Sequence, residues 1–129
     1  MATLQGVLTS DPFVAATGRL SQYPQVTQSD AQYAVIDHAA SGANTIVSAV
    51  SGKKIRVLGF FLVAAGAVNV RWESEGSVMS GVMNLGATDL FAGADFNPTG
   101  WFETPAGRLL GIDLSDAVSV DGALVYVLV

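Results

Sequence analysis

A cysteine-free chain of 129 residues points to one domain with neither a disulfide framework nor a thiolate metal site. Its net charge of -5, with no basic patch, argues against nucleic-acid binding. Charged residues make up 13%, against roughly 25% in an ordinary soluble domain, while half the chain is hydrophobic. One small core does not hide that much apolar surface, so cover by other subunits or a partner is expected.

The N-terminus, MATLQGVLTSDPF, has no basic region and no long apolar run, so a secretory signal is not expected. The most apolar run, VLGFFLVAAGAVNV, is too short to span a bilayer and is interrupted by Gly66 and Asn69; no membrane partner is expected. Residues 1–30 are polar, contain Pro12 and Pro24 and show little alternation. They read as an extended arm whose apolar residues, Leu4, Val7, Leu8, Phe13, Val14, Leu20 and Tyr23, are more than a purely solvated tail needs. Residues 31–129 read as the folded domain.

Helical periodicity is nearly absent. Short runs rich in β-branched and aromatic residues recur between Gly, Asp, Asn and Ser. YAVIDH is the first expected strand and NTIVSAV the second, with a turn at Ser51-Gly52. KIRVLGFFLVA is apolar on both faces and reads as a central strand covered on both sides. AVNVRWE alternates, with Val68, Val70 and Trp72 inward and Asn69, Arg71 and Glu73 outward. After the turn SEGS comes a strand VMSGVMNL, then a longer loop over 86–100.

Pro105 and Gly107 then predict a hairpin between GWFET and RLLGIDL, in which Leu110, Ile112 and Leu114 point inward. Asp121-Gly122 predicts a second hairpin, from VSV into ALVYVLV. Eight or nine short strands with regular turns describe an all-β chain: an antiparallel two-sheet β-sandwich, jelly-roll-like, with an extended N-terminal arm.

Few residues suggest chemistry. His38 is the only histidine, so a zinc site would have to lean on carboxylates, and no histidine or cysteine ligand spacing exists. A Ser-His-Asp triad lacks its G-x-S-x-G elbow. Glu73 with Glu75 is a spacing a glycosidase could use, but it falls where a strand enters a turn, an ordinary place for solubilising acids. Asp113 with Asp116 is a second close pair, and Asp89 with Asp95 could help hold calcium but lacks EF-hand spacing. No enzyme activity, cofactor or metal is expected. Trp72, Trp101 and Phe102 are sugar-stacking candidates; core or interface packing is the stronger expectation, with Trp72 in the core and one of the adjacent pair facing out.

Over residues 33–129, the motifs NTIVSAV, GKKIRV, GWFET and the closing VSVDGALVY resemble small β-sandwich proteins encoded in the structural modules of tailed bacteriophages. The chain is most similar to capsid decoration (cement) proteins. That resemblance implies a jelly-roll-like homotrimer on the outside of the head, clamping neighbouring subunits of the major capsid protein. It implies a protein made in the host cytoplasm and located in the virion. Under it, Phe13, Leu20 and Tyr23 of the arm and Leu90, Phe91 and Phe96 of the loop over 90–96 are the candidate capsid contacts. Phe60, Phe61 and Val127 are the candidate oligomer interface. The alternative is a receptor- or carbohydrate-binding sandwich of a phage tail or fibre.

Overall fold

A computed structural model describes residues 30–86 and 89–129, so residues 1–29 with Phe13, Leu20 and Tyr23 lie outside the described residues. The period-two patterning becomes ten strands in chain order: β1 Gln32–His38, β2 Gly42–Val47, β3 Ile55–Ala64, β4 Val68–Ser74, β5 Ser77–Val78, β6 Met83–Leu85, β7 Phe91–Ala94, β8 Phe102–Glu103, β9 Leu110–Leu114 and β10 Val120–Leu128. All pairings are antiparallel. They build two sheets. The first has the order β1-β10-β3-β7, with β8 also on β3; the second has the order β2-β9-β4-β5, with β6 also on β4.

β5 and β6 share one edge of β4, and β7 and β8 share one edge of β3. Each pair is therefore one interrupted strand, which leaves four strands per sheet. The partners are nested: first with last, second with second-last, and inward to the β4–β5 turn. A long antiparallel ribbon rolled over on itself gives this order, and it makes the chain a jelly roll. The β4–β5 turn places Glu75 at φ 48 and Gly76 at φ 90, the left-handed pair that a two-residue hairpin loop requires.

The facing surfaces of the two sheets form one apolar layer. Ile36, Ile55, Val57, Leu62, Val120 and Leu124 come from the first sheet; Val70, Trp72, Leu110, Ile112 and Leu114 come from the second; all are essentially sealed from solvent. Alternation on β4 and β9 is as expected from the sequence. At the centre stands Trp72. The Phe60 ring meets it edge-on at 5.0 Å, and the Phe102 ring lies at 5.6 Å.

Several local expectations are corrected. Residues 104–107 do not form a hairpin, because β8 pairs with β3 in the first sheet while β9 pairs with β2 and β4 in the second. The segment is an arch between sheets. Buried Thr104 anchors it: its N–H donates to the Ile55 carbonyl at 3.0 Å, and its Oγ1 accepts from the Ile55 N–H at 2.9 Å. Pro and Gly specify a bend but not which strands flank it; the apolar faces of β8 and β9 decide that.

Asp121-Gly122 is not a turn either. Both residues lie inside β10, which pairs with β1 on one edge and β3 on the other. The reason for glycine is close approach, since a side chain at residue 122 would run into the carbonyl of Phe61. The expected strand 78–85 is split. The Trp72 N–H donates to Ser80 Oγ and the Met79 N–H to the Trp72 carbonyl, so the segment bulges away between β5 and β6. The expected loop 86–100 contains edge strand β7. Glu73 faces outward as expected but is buried, its carboxylate accepting from the Gly76 N–H at 2.8 Å.

Where β8 meets β3, Glu103 accepts from Arg56 Nε at 3.0 Å and from Lys54 Nζ at 3.3 Å. Partial burial pushes the Glu103 carboxyl up, but the hydrogen bonds and charges of Arg56 and Lys54 together outweigh it and hold it below the usual 4.5. Because the unfolded chain then takes up the proton first, the contribution is complete above pH 4.5 and is lost as pH falls through the depressed value. It should be small, up to about 1 kcal/mol, for a pair this exposed. Chemical denaturation across pH 3–7 is expected to show Glu103→Gln below wild type at pH 7. The two curves should converge in acid; a gap that stays constant with pH would contradict the assignment.

Candidate interaction surface

In each sheet the side chains opposite the core face outward, and the two outer faces differ. On the second sheet this face is mostly polar, with exposed Val78 at its β5 edge: Arg71 pairs with Asp113 at 3.2 Å, and the Asn84 amide donates to Asn69 Oδ1 at 2.7 Å. On the first sheet it is apolar. Register sets Tyr33 beside Val125 and Gly59, Val35 beside Ala123, Phe61 and Gly93, and Val63 beside Phe91. Tyr33 is 81% and Val35 75% exposed, and Phe61, Val63, Phe91 and Phe96 are also exposed. A contiguous exposed patch of this kind marks an interaction site rather than a finished surface.

Across this face runs a shallow groove of about 450 Å³. Its floor follows from two residues without side chains. The Phe96 backbone crosses Gly59, where an added Cβ would lie 3.3 Å from Phe96 Cα, and the Phe91 ring leans over Gly93. Aromatic rings of Tyr33, Phe61, Phe91 and Phe96 form its walls. The single charged residue in the lining is Asp95. Asp37 and Asp121, opposite each other in register, sit at the far end of the sheet face. Among the described residues, the groove lining itself holds no cation; Arg56 lies on this face beyond the groove, opposite Val127 and paired with Glu103.

Of the candidate contacts, Phe91 and Phe96 line the groove; Leu90 is exposed, and its carbonyl accepts from the Ala64 N–H. Phe61 is exposed on the same face. Its neighbour Phe60 points the other way, onto Trp72, and Val127 is buried. The three candidate interface residues thus do not share one surface, because adjacent strand residues face opposite sides. Tyr33, Val35, Val63 and Val125 belong to the patch but were not singled out from the sequence. The available signal was an apolar residue at both inward and outward positions of β1 and β3.

The candidate chemical groups are scattered. His38 ends β1 opposite Val120. Glu73 is occupied at the turn, and Glu75 accepts from the Leu109 N–H at 3.1 Å. Asp113 is paired with Arg71, Asp116 accepts from Ser115, and Asp89 accepts from the Phe91 N–H. No group of three or more His, Asp or Glu side chains among the described residues is placed to hold a metal ion. Of the aromatic pair, Trp101 is the outward residue, its indole N–H bound to the Asp95 carbonyl at 2.8 Å, and Phe102 packs inward on Trp72.

No protein-family model matches the chain, and no curated protein sequence does. A solved structure does. A chain in the acidic stable capsid structure of Helicobacter pylori bacteriophage KHP30 superposes with a TM-score of 0.53 at 12% identity, over 82% of this chain and 95% of that chain. At that identity the likeness is one of fold. Almost all of the matched chain is used by most of this one, so the two are of comparable size.

Proposed function

We propose that the protein is a non-enzymatic structural component of a phage virion, a head decoration protein that binds the outside of the capsid and stabilises contacts between major capsid subunits. The observation that carries this reading is the exposed apolar patch on the outer face of the first sheet, formed by Tyr33, Val35, Phe61, Val63, Phe91 and Phe96. Such a face suits a protein whose working state is covered on one side. Fold-level likeness to a chain of a phage capsid, of similar size, supports it, as do the sequence motifs that resemble decoration proteins. Function then needs no catalytic group. Many weak contacts per subunit, multiplied by a trimer's symmetry and by copy number, resist movement of the shell.

The test is to mix the purified protein with capsid shells that lack it and to sediment the shells. Saturable co-sedimentation and a trimeric mass by light scattering are expected. Phe61→Asp, which places a charge on the outer face without touching the core, should reduce shell binding at least tenfold. A clean monomer at micromolar concentration that leaves shells bare would overturn the proposal.

The alternative tail or fibre sandwich draws on half-exposed Trp101. Since Trp72 is buried, any glycan-induced change in tryptophan fluorescence would report on Trp101. A glycan screen that leaves the emission unchanged removes that reading.

A further inference from the structure

We infer that the groove on the first sheet is the seat of this chain's own N-terminal segment, residues 19–26. Position comes first. The chain enters the first sheet at Gln32, and the next residue, Tyr33, is itself a wall of the groove. Twenty-nine residues of the sequence precede Asp30. Crossing from β1 over β10 and β3 to β7 takes three inter-strand spacings, about 15 Å, which about five extended residues cover. Residues 19–26 can therefore lie across the groove after a short reversal, and being tethered gives them a local concentration that a separate molecule does not match.

Chemistry agrees with position. The groove is walled by aromatic rings, and among the described residues its lining carries Asp95 and no cation. Residues 1–29 carry one acid, Asp11, and one base, Arg19. That base lies in a run, RLSQYPQV, with apolar Leu20, Tyr23, Pro24 and Val26. This segment brings a charge opposite to that of Asp95 together with the apolar residues. Val35 and Val63, which are exposed on the same face but do not line the groove, are left for other contacts.

Because the chain has no cysteine, engineered pairs report proximity without background. In the full chain, Ser21→Cys, Gln22→Cys or Gln25→Cys is combined with Val125→Cys, a groove residue, or with Thr45→Cys on the exposed outer side of β2. Under mild oxidation, at least one pair with residue 125 should close tenfold or more faster than its partner with residue 45. The product should migrate as a single chain, and closure should slow to the control rate when Leu20 and Tyr23 are both replaced by Asp. Equal rates at 125 and 45 overturn the inference, as does a product that migrates as a dimer, which would assign the groove to a neighbouring copy. The assay contains no shells, so its failure leaves the virion proposal standing, and bare shells leave this inference standing.

Discussion

Replacing Trp72 by alanine is expected to cost about 3–5 kcal/mol of stability, the range for truncating a large buried aromatic. The side chain is 1% exposed and bridges the sheets, with Phe60 and Phe102 against its ring. Its indole Nε1 is buried without a hydrogen-bond partner among the described residues. Hydrogen bonding therefore adds nothing to the loss, and the cost is packing and the void left behind. This separates two substitutions. Trp72→Phe keeps a ring between Phe60 and Phe102 and removes a buried donor that has no acceptor, so it should cost much less than alanine. Urea denaturation measures both. Equal losses for the two variants would mean that the nitrogen has a partner, and an alanine variant as stable as wild type would mean that the core lies elsewhere.

Gly122→Val is the other severe change. In β10 the residue pairs with Ile36 on one side and Leu62 on the other, and its Cα passes over the Phe61 carbonyl. A central strand has no free edge along which to shift. Relief would require moving β10 away from β3, so a loss of about 3 kcal/mol is expected, at the upper end for overpacking. A control distinguishes this from a turn glycine. Asp121 occupies an exposed strand position, where a β-branched residue is favoured. Asp121→Thr should fold with at least wild-type stability, whereas the same change in an Asp-Gly turn would weaken the hairpin. Expression with thermal melting of the two variants gives the answer.

These two residues also mark what was readable from the chain. Trp72 was legible because Val68, Val70 and Trp72 alternate with polar neighbours, and period two translates directly into one buried face. Gly122 was misread because a glycine required by a passing carbonyl has the same letter as one required by a turn. Pro105 and Gly107 announced a bend correctly, yet the strands on either side belong to different sheets. Local chemistry names the bend; only tertiary packing names the partners. The groove was hidden for a similar reason. Phe91 and Phe96 were visible as aromatic residues in a loop, but Gly59 and Gly93 form a floor only once β3 and β7 are side by side. Phe60 and Phe61 were grouped as one patch although a strand sends neighbours to opposite sides.

The nested pairing has a consequence for how the protein is made. β1 finds its edge partner in β10, and β2 finds its own in β9. Most long-range contacts thus wait for β9 and β10, and folding should be slow, roughly milliseconds to seconds, as for other topologies dominated by distant pairings. During synthesis β1 and β3 remain without their shared neighbour until Val120–Leu128 has left the ribosome. Until that moment an apolar strand edge stands open in the nascent chain, and a truncation that removes β10 would leave it open permanently.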